Sequence, residues 1–392
     1  MNEQLTTNQF PVAERLHGIE EYYFSQKLQE IERLNRDGKA ILNLGIGNPD
    51  LPPHPDVIQV LHEESNKPTV HGYQGYKGIP ALRTAIADWY KRWYNVTLQA
   101  DSEILPLIGS KEGILHICMT YLNKGDKVLI PNPGYPTYRS AVLLAGGVPI
   151  EYTLHEEMGW EPDFDHLRQV AVQEEPKLMF VNYPHMPTGQ LPTQALFERL
   201  VQFAQDHAVL LVHDNPYSFI LNETPMSLLA VAGAKEHVLE LNSLSKSHNM
   251  AGWRIGMLCG AAAHITNVLR FKSNMDSGMF QPLQVAAVKA LSLGEEWFSD
   301  LNKIYSERRQ EVYALLDVLG CTYSKKQAGL FLWAKILDSY KSGFELSDAI
   351  LYNKNVFITP GGIFGSAGDG YIRISLCGSL DKFKEAINRM RA

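Results

Sequence analysis

Cysteine is scarce in this sequence of 392 residues. The four cysteines, Cys118, Cys259, Cys321 and Cys377, lie far apart, and none belongs to a C-x-x-C pair. This spacing argues against a disulfide framework and against a zinc site, because both usually need cysteines at short, recurring spacings. Buried thiols in a reducing compartment are therefore the expectation.

Long apolar runs are also lacking. Residues 1–20 contain no apolar core of the kind that a signal peptide requires. The longest apolar run, residues 141–150, is interrupted by Gly146, Gly147 and Pro149 and is too short to span a bilayer. We expect a cytoplasmic protein that does not enter a membrane.

Neither sign of charge dominates the composition. The formal net charge of −7 gives the chain no general attraction for nucleic acid or for an anionic membrane surface. Hydrophobic residues make up 45% and charged residues 20%, which excludes a disordered or collagen-like chain. A single core usually holds about 100–200 residues, so two sub-domains or one large α/β unit are expected.

Short apolar runs alternate with longer helical stretches in the first two thirds of the chain. Helices are predicted over residues 80–94, 113–122 and 194–205. Runs that are apolar on both faces suit strands covered by helices on both sides, so the alternation predicts a mostly parallel, doubly wound sheet. The predicted strands are residues 104–108, 128–130, 178–181, 209–212, 238–241 and 255–258.

The pattern changes after about residue 282. A long helical stretch over residues 282–319, with a break near Leu293 and Gly294, precedes short strand candidates at 330–334, 356–358 and 371–374. This is typical of a smaller α+β domain. The segment before residue 50 has a predicted helix over 19–34 but no strand pattern. We therefore predict a large domain of residues 51–281 and a small domain built from residues 1–50 and 282–392.

Small and polar residues follow several predicted strands. Ser110 and Lys111 follow the first strand and open a helix, where free N–H groups and the positive end of the helix dipole favour phosphate. Tyr135 follows the second strand. Taken singly, the first pair also suits an ordinary helix cap, and Tyr135 also suits a ring packed in a turn.

A more specific set follows the later strands, at the edge of an α/β sheet where ligands bind. Asp214 lies at a strand end, but the sequence around it shows no cluster of His, Asp and Glu at the spacing of metal ligands, so no metal is expected. Several such residues at fixed intervals are a far more specific sign of function than any one of them alone. The members of the set are Asp214, Tyr217, Ser243, Ser245, Lys246 and Arg254.

These residues resemble the class I/II aminotransferases of fold type I, which use pyridoxal 5′-phosphate. Residues 243–254, SLSKSHNMAGWR, are similar to the family's cofactor-lysine motif, and the resemblance extends from NLGIGNPD at residues 43–50 to YIRIS at 371–375. Residues 272–281, KSNMDSGMFQ, are most similar to the branch that holds alanine and LL-diaminopimelate aminotransferases.

The resemblance implies a role for each cofactor-binding residue. Lys246 would hold the cofactor's aldehyde covalently and move the proton at the substrate Cα, and Asp214 would pair with the pyridine nitrogen. Tyr217 would donate to the ring's 3′ oxygen, and Tyr135 would stack on the ring. The phosphate would be bound by Ser110, Lys111, Ser243, Ser245 and Arg254.

The resemblance also implies a substrate clamp and a shared site. Arg373 would bind the substrate α-carboxylate through two parallel hydrogen bonds, with the backbone near Gly47 closing the other side. Tyr73 matches a tyrosine that reaches the phosphate from the neighbouring subunit, which implies a homodimer.

One position departs from the family pattern. The usual Asn-Pro-Thr-Gly is replaced by Met186-Pro-Thr-Gly. The missing Asn normally donates to the cofactor's 3′ oxygen, and Met has no donor. We therefore expect a raised pKa for the lysine–cofactor linkage and a loss of about 1–3 kcal/mol of hydrogen bonding, unless His185 or a water replaces the donor.

The main hypothesis is transfer of the amino group of an L-amino acid to a 2-oxo acid, either 2-oxoglutarate or pyruvate, in two half-reactions. Two alternatives stay open at this point. A carbon–sulfur β-lyase would use the same lysine, aspartate and arginine and differs only in its products. A cofactor-binding regulator without turnover is favoured solely by Met186.

Overall fold

A computed structural model describes residues 10–19, 21 and 23–392. The predicted lack of a signal peptide therefore falls partly outside the described residues, as does part of the predicted helix over 19–34. The strands of the described chain are β1 (Leu42–Asn43), β2 (Ile104–Leu107), β3 (Lys127–Asn132), β4 (Val148–Thr153), β5 (Leu178–Val181), β6 (Leu210–Asp214), β7 (Val238–Ser243), β8 (Gly256–Cys259), β9 (Phe331–Lys335), β10 (Val356–Phe357), β11 (Thr359–Pro360) and β12 (Tyr371–Ser375).

In the described chain, α-helices form the C-terminus and most of the connections between strands. The helices of the described chain are α1 (Tyr23–Arg36), α2 (Pro55–Ser65), α3 (Pro80–Tyr94), α4 (Ser110–Tyr121), α5 (Pro136–Leu144), α6 (Phe164–Glu174), α7 (Gln194–His207), α8 (Leu244–Ser247), α9 (Ala262–Lys272), α10 (Gln281–Leu291), α11 (Glu295–Val318), α12 (Gly343–Lys354) and α13 (Leu380–Arg391).

A seven-stranded sheet forms the centre of the molecule, in the order β2-β8-β7-β6-β5-β3-β4. The neighbours from β7 to β4 run parallel, whereas β8 runs antiparallel to both β2 and β7. Each of the six predicted runs overlaps one of these strands. The predicted α/β class with a mostly parallel sheet is confirmed.

Alternate side chains of each central strand enter two separate cores. In β5, Leu178 and Phe180 pack on one face with α4, α5 and α9, whereas Met179 and Val181 pack on the other face with α3, α6 and α7. This alternation follows from the period of two residues in a strand. Because both faces are covered, the strands consist of continuous apolar runs, and that is why the sequence predicted them.

The sequence analysis missed strand β4. It lies at one edge of the sheet, paired only with β3, and several of its side chains are partly or fully exposed. Polar Glu151 and the exposed Val148 interrupt the apolar pattern on which the prediction relied. An edge strand that is half exposed carries a weaker signal than a buried one.

A second region contains two small sheets. Strands β11, β12 and β9 form an antiparallel sheet, and β1 pairs in parallel with β10. The prediction that the segment before residue 50 has no strand is therefore wrong, although β1 is only two residues long and depends on β10 for its backbone partners. The predicted break between helices lies between α10 and α11. The domain boundaries at residues 50–51 and 281–282 remain predictions.

The four cysteines are buried and are not paired with one another. In the part of the chain that the structure describes, no helix is both long enough and apolar enough to cross a bilayer.

Candidate active site

A cavity of about 550 Å³ lies at the carboxyl ends of the central strands. Most of the predicted site residues meet there, although they come from positions far apart in the sequence. Those that line the cavity are Gly47, Ser110, Lys111, Tyr135, Asp214, Tyr217, Ser243, Ser245, Lys246, Arg254 and Arg373.

Tyr73 lies outside this cavity. Its side chain is 93% exposed, so within a single chain it does not contribute to the site. Its predicted role in the neighbouring subunit's site stays a prediction.

Asp214 ends strand β6 and its side chain is buried beneath the cavity. The Tyr138 hydroxyl donates to Oδ2 at 2.9 Å, whereas Oδ1 is buried and has no hydrogen-bond partner among the residues that the structure describes. Burial raises the pKa of Asp214 to about 6, and the Tyr138 hydrogen bond and His213 partly oppose this shift. A cationic ring nitrogen in the cavity would meet the unpartnered oxygen and hold the carboxylate in its charged form.

Lys246 belongs to the short helix α8, which follows β7 directly. Its Nζ donates to the backbone oxygen of Gly47 at 2.9 Å. Burial lowers the pKa of Lys246 to about 8, and the nearby guanidinium groups of Arg373 and Arg254 act in the same direction. About a tenth of this amine is therefore unprotonated at pH 7, far more than for an exposed lysine, and nucleophilic and proton-transfer chemistry need the unprotonated form.

Positive charge and hydroxyl groups gather around the start of helix α4. The Ser243 hydroxyl donates to Ser245 Oγ at 2.8 Å, and Arg254 Nη1 lies 3.4 Å from the same Oγ. Burial, followed by the charge of Arg254, lowers the pKa of Lys111. The two cations thus repel each other across one small space, and an anion bound between them would relieve that repulsion.

Gly109 gives this space its shape. Its φ of +82° is in the left-handed region, and a Cβ built there would lie 2.1 Å from Arg254 Nη2. The backbone therefore leaves a concave cradle at a helix N-terminus, which is a favourable place for a phosphate group.

Arg373 projects from β12 into an apolar part of the cavity and is only 4% exposed. Its Nη2 donates to the backbone oxygen of Gly45 at 2.9 Å. Its guanidinium carbon lies 3.8 Å from the centre of the Phe331 ring and 4.6 Å from that of Phe364. This fixed, planar cation is suited to binding a carboxylate through two hydrogen bonds.

Met186 lines the cavity at the position where the family pattern has Asn. Its Sδ lies 3.3 Å from Arg373 Nη1, so it packs against the predicted carboxylate clamp. His185 does not line the cavity; its Nδ1 is 2.8 Å from Thr188 Oγ1. The suggestion that His185 replaces the missing donor is therefore not supported.

Asn182 lies in the cavity wall and was missed in the sequence analysis. Its amide group is already engaged, because Nδ2 donates to the backbone oxygen of Asp214 and Oδ1 accepts from the Met186 amide at 2.7 Å. It thus joins the end of β6 to the Met186 turn, which uses one of the two N–H groups of Nδ2.

Several other lining residues were also missed because no local pattern indicates them. Among them, Tyr138 could most easily have been predicted, because it lies three residues after Tyr135. The apolar lining residues that the sequence analysis did not identify include Phe24, Leu28, Ile46, Phe331 and Phe364.

The cavity fits one group of cofactors well, because it joins a buried carboxylate with one free oxygen in the described chain, a lysine of lowered pKa and a cradle suited to phosphate. Together with the mostly parallel sheet, this arrangement defines an enzyme of fold type I that uses pyridoxal 5′-phosphate. The model of the family described as aminotransferase class I and II matches residues 39–390. The chain belongs to this family and is an aminotransferase, as the sequence analysis predicted.

Individual relatives agree with this assignment. The chain is similar to an LL-diaminopimelate aminotransferase of Oleidesulfovibrio alaskensis, with 40% identity over 97% of this chain and 99% of the relative. An enzyme of the same name from Halothermothrix orenii is 37% identical, covering 97% of each chain. Among solved structures, apo-BacF from Bacillus subtilis is 37% identical with a TM-score of 0.93, over 97% of this chain and 98% of BacF.

Proposed function

We propose that this aminotransferase moves the amino group of an L-amino acid to 2-oxoglutarate or pyruvate in two half-reactions, with Lys246, Asp214 and Arg373 as its central residues. One observation carries the proposal: these three residues face one cavity, although they come from distant parts of the chain. When bound, pyridoxal 5′-phosphate accepts the amino group from the donor and passes it to the 2-oxo acid.

Lys246 is proposed to bind the cofactor and then to move the proton at the substrate Cα. Its lowered pKa of about 8 supports this role, because a base is most effective when its pKa lies near the working pH. The Gly47 carbonyl, which accepts a hydrogen bond from Nζ, holds the amine inside the cavity before the cofactor binds.

The remaining charged residues are proposed to bind and orient. Asp214 would hold the cofactor's ring nitrogen through its unpartnered Oδ1. The phosphate would lie at the start of α4, between Lys111 and Arg254. Arg373 would bind the α-carboxylate and so fix the Cα hydrogen towards Lys246.

The finer features of the proposal concern assembly and location. We propose a homodimer in which Tyr73 completes the neighbouring subunit's site; its full exposure outside its own cavity supports this. A cytoplasmic location is proposed because the four cysteines are free thiols, as is usual in a reducing compartment. The relatives named above make LL-diaminopimelate one candidate donor.

The test is a single half-reaction with the cofactor-loaded protein. Individual L-amino acids are added without an acceptor, and we expect one equivalent of 2-oxo acid per active site. Later addition of pyruvate or 2-oxoglutarate should yield the corresponding new amino acid. Lys246→Ala should lower the rate at least about 100-fold because the base is lost. Lys303→Ala, at an exposed helix position, is the matched control and should retain the rate.

Two results would contradict the proposal. Pyruvate and ammonia without a new amino acid would indicate a carbon–sulfur β-lyase. Complete absence of 2-oxo acid with every donor, in protein that holds the cofactor, would indicate a regulator.

A further inference from the structure

The cavity has an apolar wall beyond the residues assigned to the cofactor. Phe24 and Leu28 extend into it from helix α1, and Ile46 comes from the segment after β1. Phe331, Phe364 and Met186 close the same wall around Arg373. Apart from the hydroxyl of Ser25, this wall offers carbon and sulfur surface.

Each charged residue that lines the cavity already has a role in the proposed function. Asp214 is assigned to the ring nitrogen, Lys246 to the covalent linkage and Arg373 to the α-carboxylate. Lys111 and Arg254 are assigned to the phosphate. Among the residues that the structure describes, no further charged side chain lines the cavity. Within the described chain, nothing therefore remains to neutralise a charge at the far end of a substrate side chain.

The surroundings of Arg373 show where a substrate side chain would begin. The guanidinium lies against Phe331 and Phe364, and the Phe24 ring centre is 5.5 Å from its central carbon. A carboxylate bound to Arg373 would therefore have aromatic surface beside it. If the substrate side chain carried a second charged group, that group would lie against these rings. It would lose its hydration without gaining a partner of opposite charge, which is costly.

We infer that the amino donor carries an apolar side chain, of the size of leucine, methionine or phenylalanine, and that Phe24, Leu28 and Ile46 select it. This inference rests on the proposed function, since it assumes that Arg373 binds the α-carboxylate. Of the two acceptors proposed above it selects pyruvate, because the distal carboxylate of 2-oxoglutarate would meet the same apolar wall in the second half-reaction. It distinguishes this chain from what the names of its relatives suggest, because diaminopimelate has a second ammonium and a second carboxylate. Apolar contact with these residues would stabilise the donor by removing its side chain from water.

The first measurement compares donors in the half-reaction of the cofactor-loaded enzyme. The apolar donors are L-phenylalanine, L-leucine and L-methionine, and the charged ones are L-glutamate, L-aspartate and LL-diaminopimelate. We expect kcat/KM for the best apolar donor to exceed that of every charged donor at least about tenfold. A preference for glutamate, aspartate or diaminopimelate would overturn the inference and leave the proposed function intact. Failure of all donors would instead overturn the proposed function.

The second measurement does not depend on turnover. Calorimetry compares the binding of two unreactive acids, 3-phenylpropanoate and glutarate, to the same cofactor-loaded protein. We expect 3-phenylpropanoate to bind at least about tenfold more tightly, because its ring contacts the apolar wall and the second carboxylate of glutarate finds no cation. Equal or tighter binding of glutarate would overturn the inference.

A pair of variants on α1 tests which side chains select the donor. Leu28 lines the cavity and is 39% exposed, so Leu28→Arg can place a cation at the cavity mouth without unfolding the core. We expect this change to shift the binding ratio towards glutarate about tenfold. Gln26→Arg adds the same charge on the exposed side of the same helix and should leave the ratio unchanged. Equal shifts in both variants, or none in Leu28→Arg, would contradict the role of Leu28.

Discussion

Asp214 has one carboxylate oxygen bonded to Tyr138 and the other buried without a partner. In the protein without cofactor this is an unfavourable arrangement, because a buried carboxylate lacks the hydration that it has in the unfolded chain. The raised pKa of about 6 expresses that cost. The residue is therefore placed to bind a cationic group rather than to stabilise the fold.

The stability of the cofactor-free protein should show this cost through its pH dependence. The folded pKa of about 6 lies above the ordinary 3.8, so the folded state binds more protons between these values. Asp214 therefore costs stability as pH rises from about 4 to about 6. Asp214→Asn removes this cost. The free energy of unfolding of the variant minus that of wild type should therefore be about 1 kcal/mol larger at about pH 7.5 than at about pH 5.

Denaturant unfolding of both cofactor-free proteins at the two pH values gives the difference. The cofactor-loaded proteins are the control, because there the countercharge is present and the substitution should destabilise. A difference between variant and wild type that is independent of pH would show that Asp214 is not titrating as described.

At the scale of elements, the start of helix α4 and the turn that carries Arg254 form one cradle. Gly109 precedes the helix with φ +82°, and the Arg254 side chain lies where a Cβ of residue 109 would be. Both the backbone conformation and the close approach therefore require glycine. The helix N-terminus alone would be an ordinary cap, and the adjacent guanidinium makes it suited to a phosphate.

Gly109→Ala should lower the affinity for pyridoxal 5′-phosphate at least about tenfold, because the Arg254 guanidinium must move out of the cradle. Gly125→Ala is a matched control: its φ is +88°, but nothing lies within 4 Å of the added Cβ. Both variants should lose about 1 kcal/mol of stability through backbone strain. Only Gly109→Ala should also weaken the binding of pyridoxal 5′-phosphate. Equilibrium dialysis measures the affinity. Equal weakening in the two variants would show that strain alone is responsible.

At the scale of the whole molecule, the site depends on parts of the chain that are far apart in sequence. Gly45 and Gly47, near the N-terminus, accept hydrogen bonds from Arg373 and Lys246. The same segment is held by Asp50, whose two carboxylate oxygens accept from Arg308 of α11 at 2.7 and 2.9 Å. The second region of the chain therefore determines where the backbone beside Lys246 lies.

A complementation experiment tests the proposed shared site at this scale. Lys246→Ala and Tyr73→Ala should each be impaired when pure. If Tyr73 serves the neighbouring subunit, a mixed dimer of the two variants has one site with both changes and one site with neither. Unfolding and refolding an equal mixture should then restore about a quarter of the native sites. A mixture that gains no activity over the two pure variants would place Tyr73 in its own chain's site or in none.

The sequence indicated the central sheet because its strands are buried on both faces and are therefore continuously apolar. It also indicated residues of the cavity, because Asp214, Lys246 and Arg254 lie near strand ends at a spacing similar to the family pattern. It did not indicate β4, whose exposed face weakens the apolar signal, or β1, whose two residues pair only with a strand more than 300 positions away.

The apolar wall of the substrate cavity also could not be predicted. Phe24 and Leu28 look like ordinary core positions of an amphipathic helix, and nothing local distinguishes a ring that faces a cavity from one that faces the core.

The sequence by itself thus determined the family, through a resemblance that rests on specific residue types at specific spacings. Only the tertiary structure decided how the cavity is completed. The contacts of Arg373 with Met186 and the phenylalanine rings arise when distant segments pack together, and the shape of that space is a property of packing rather than of sequence pattern.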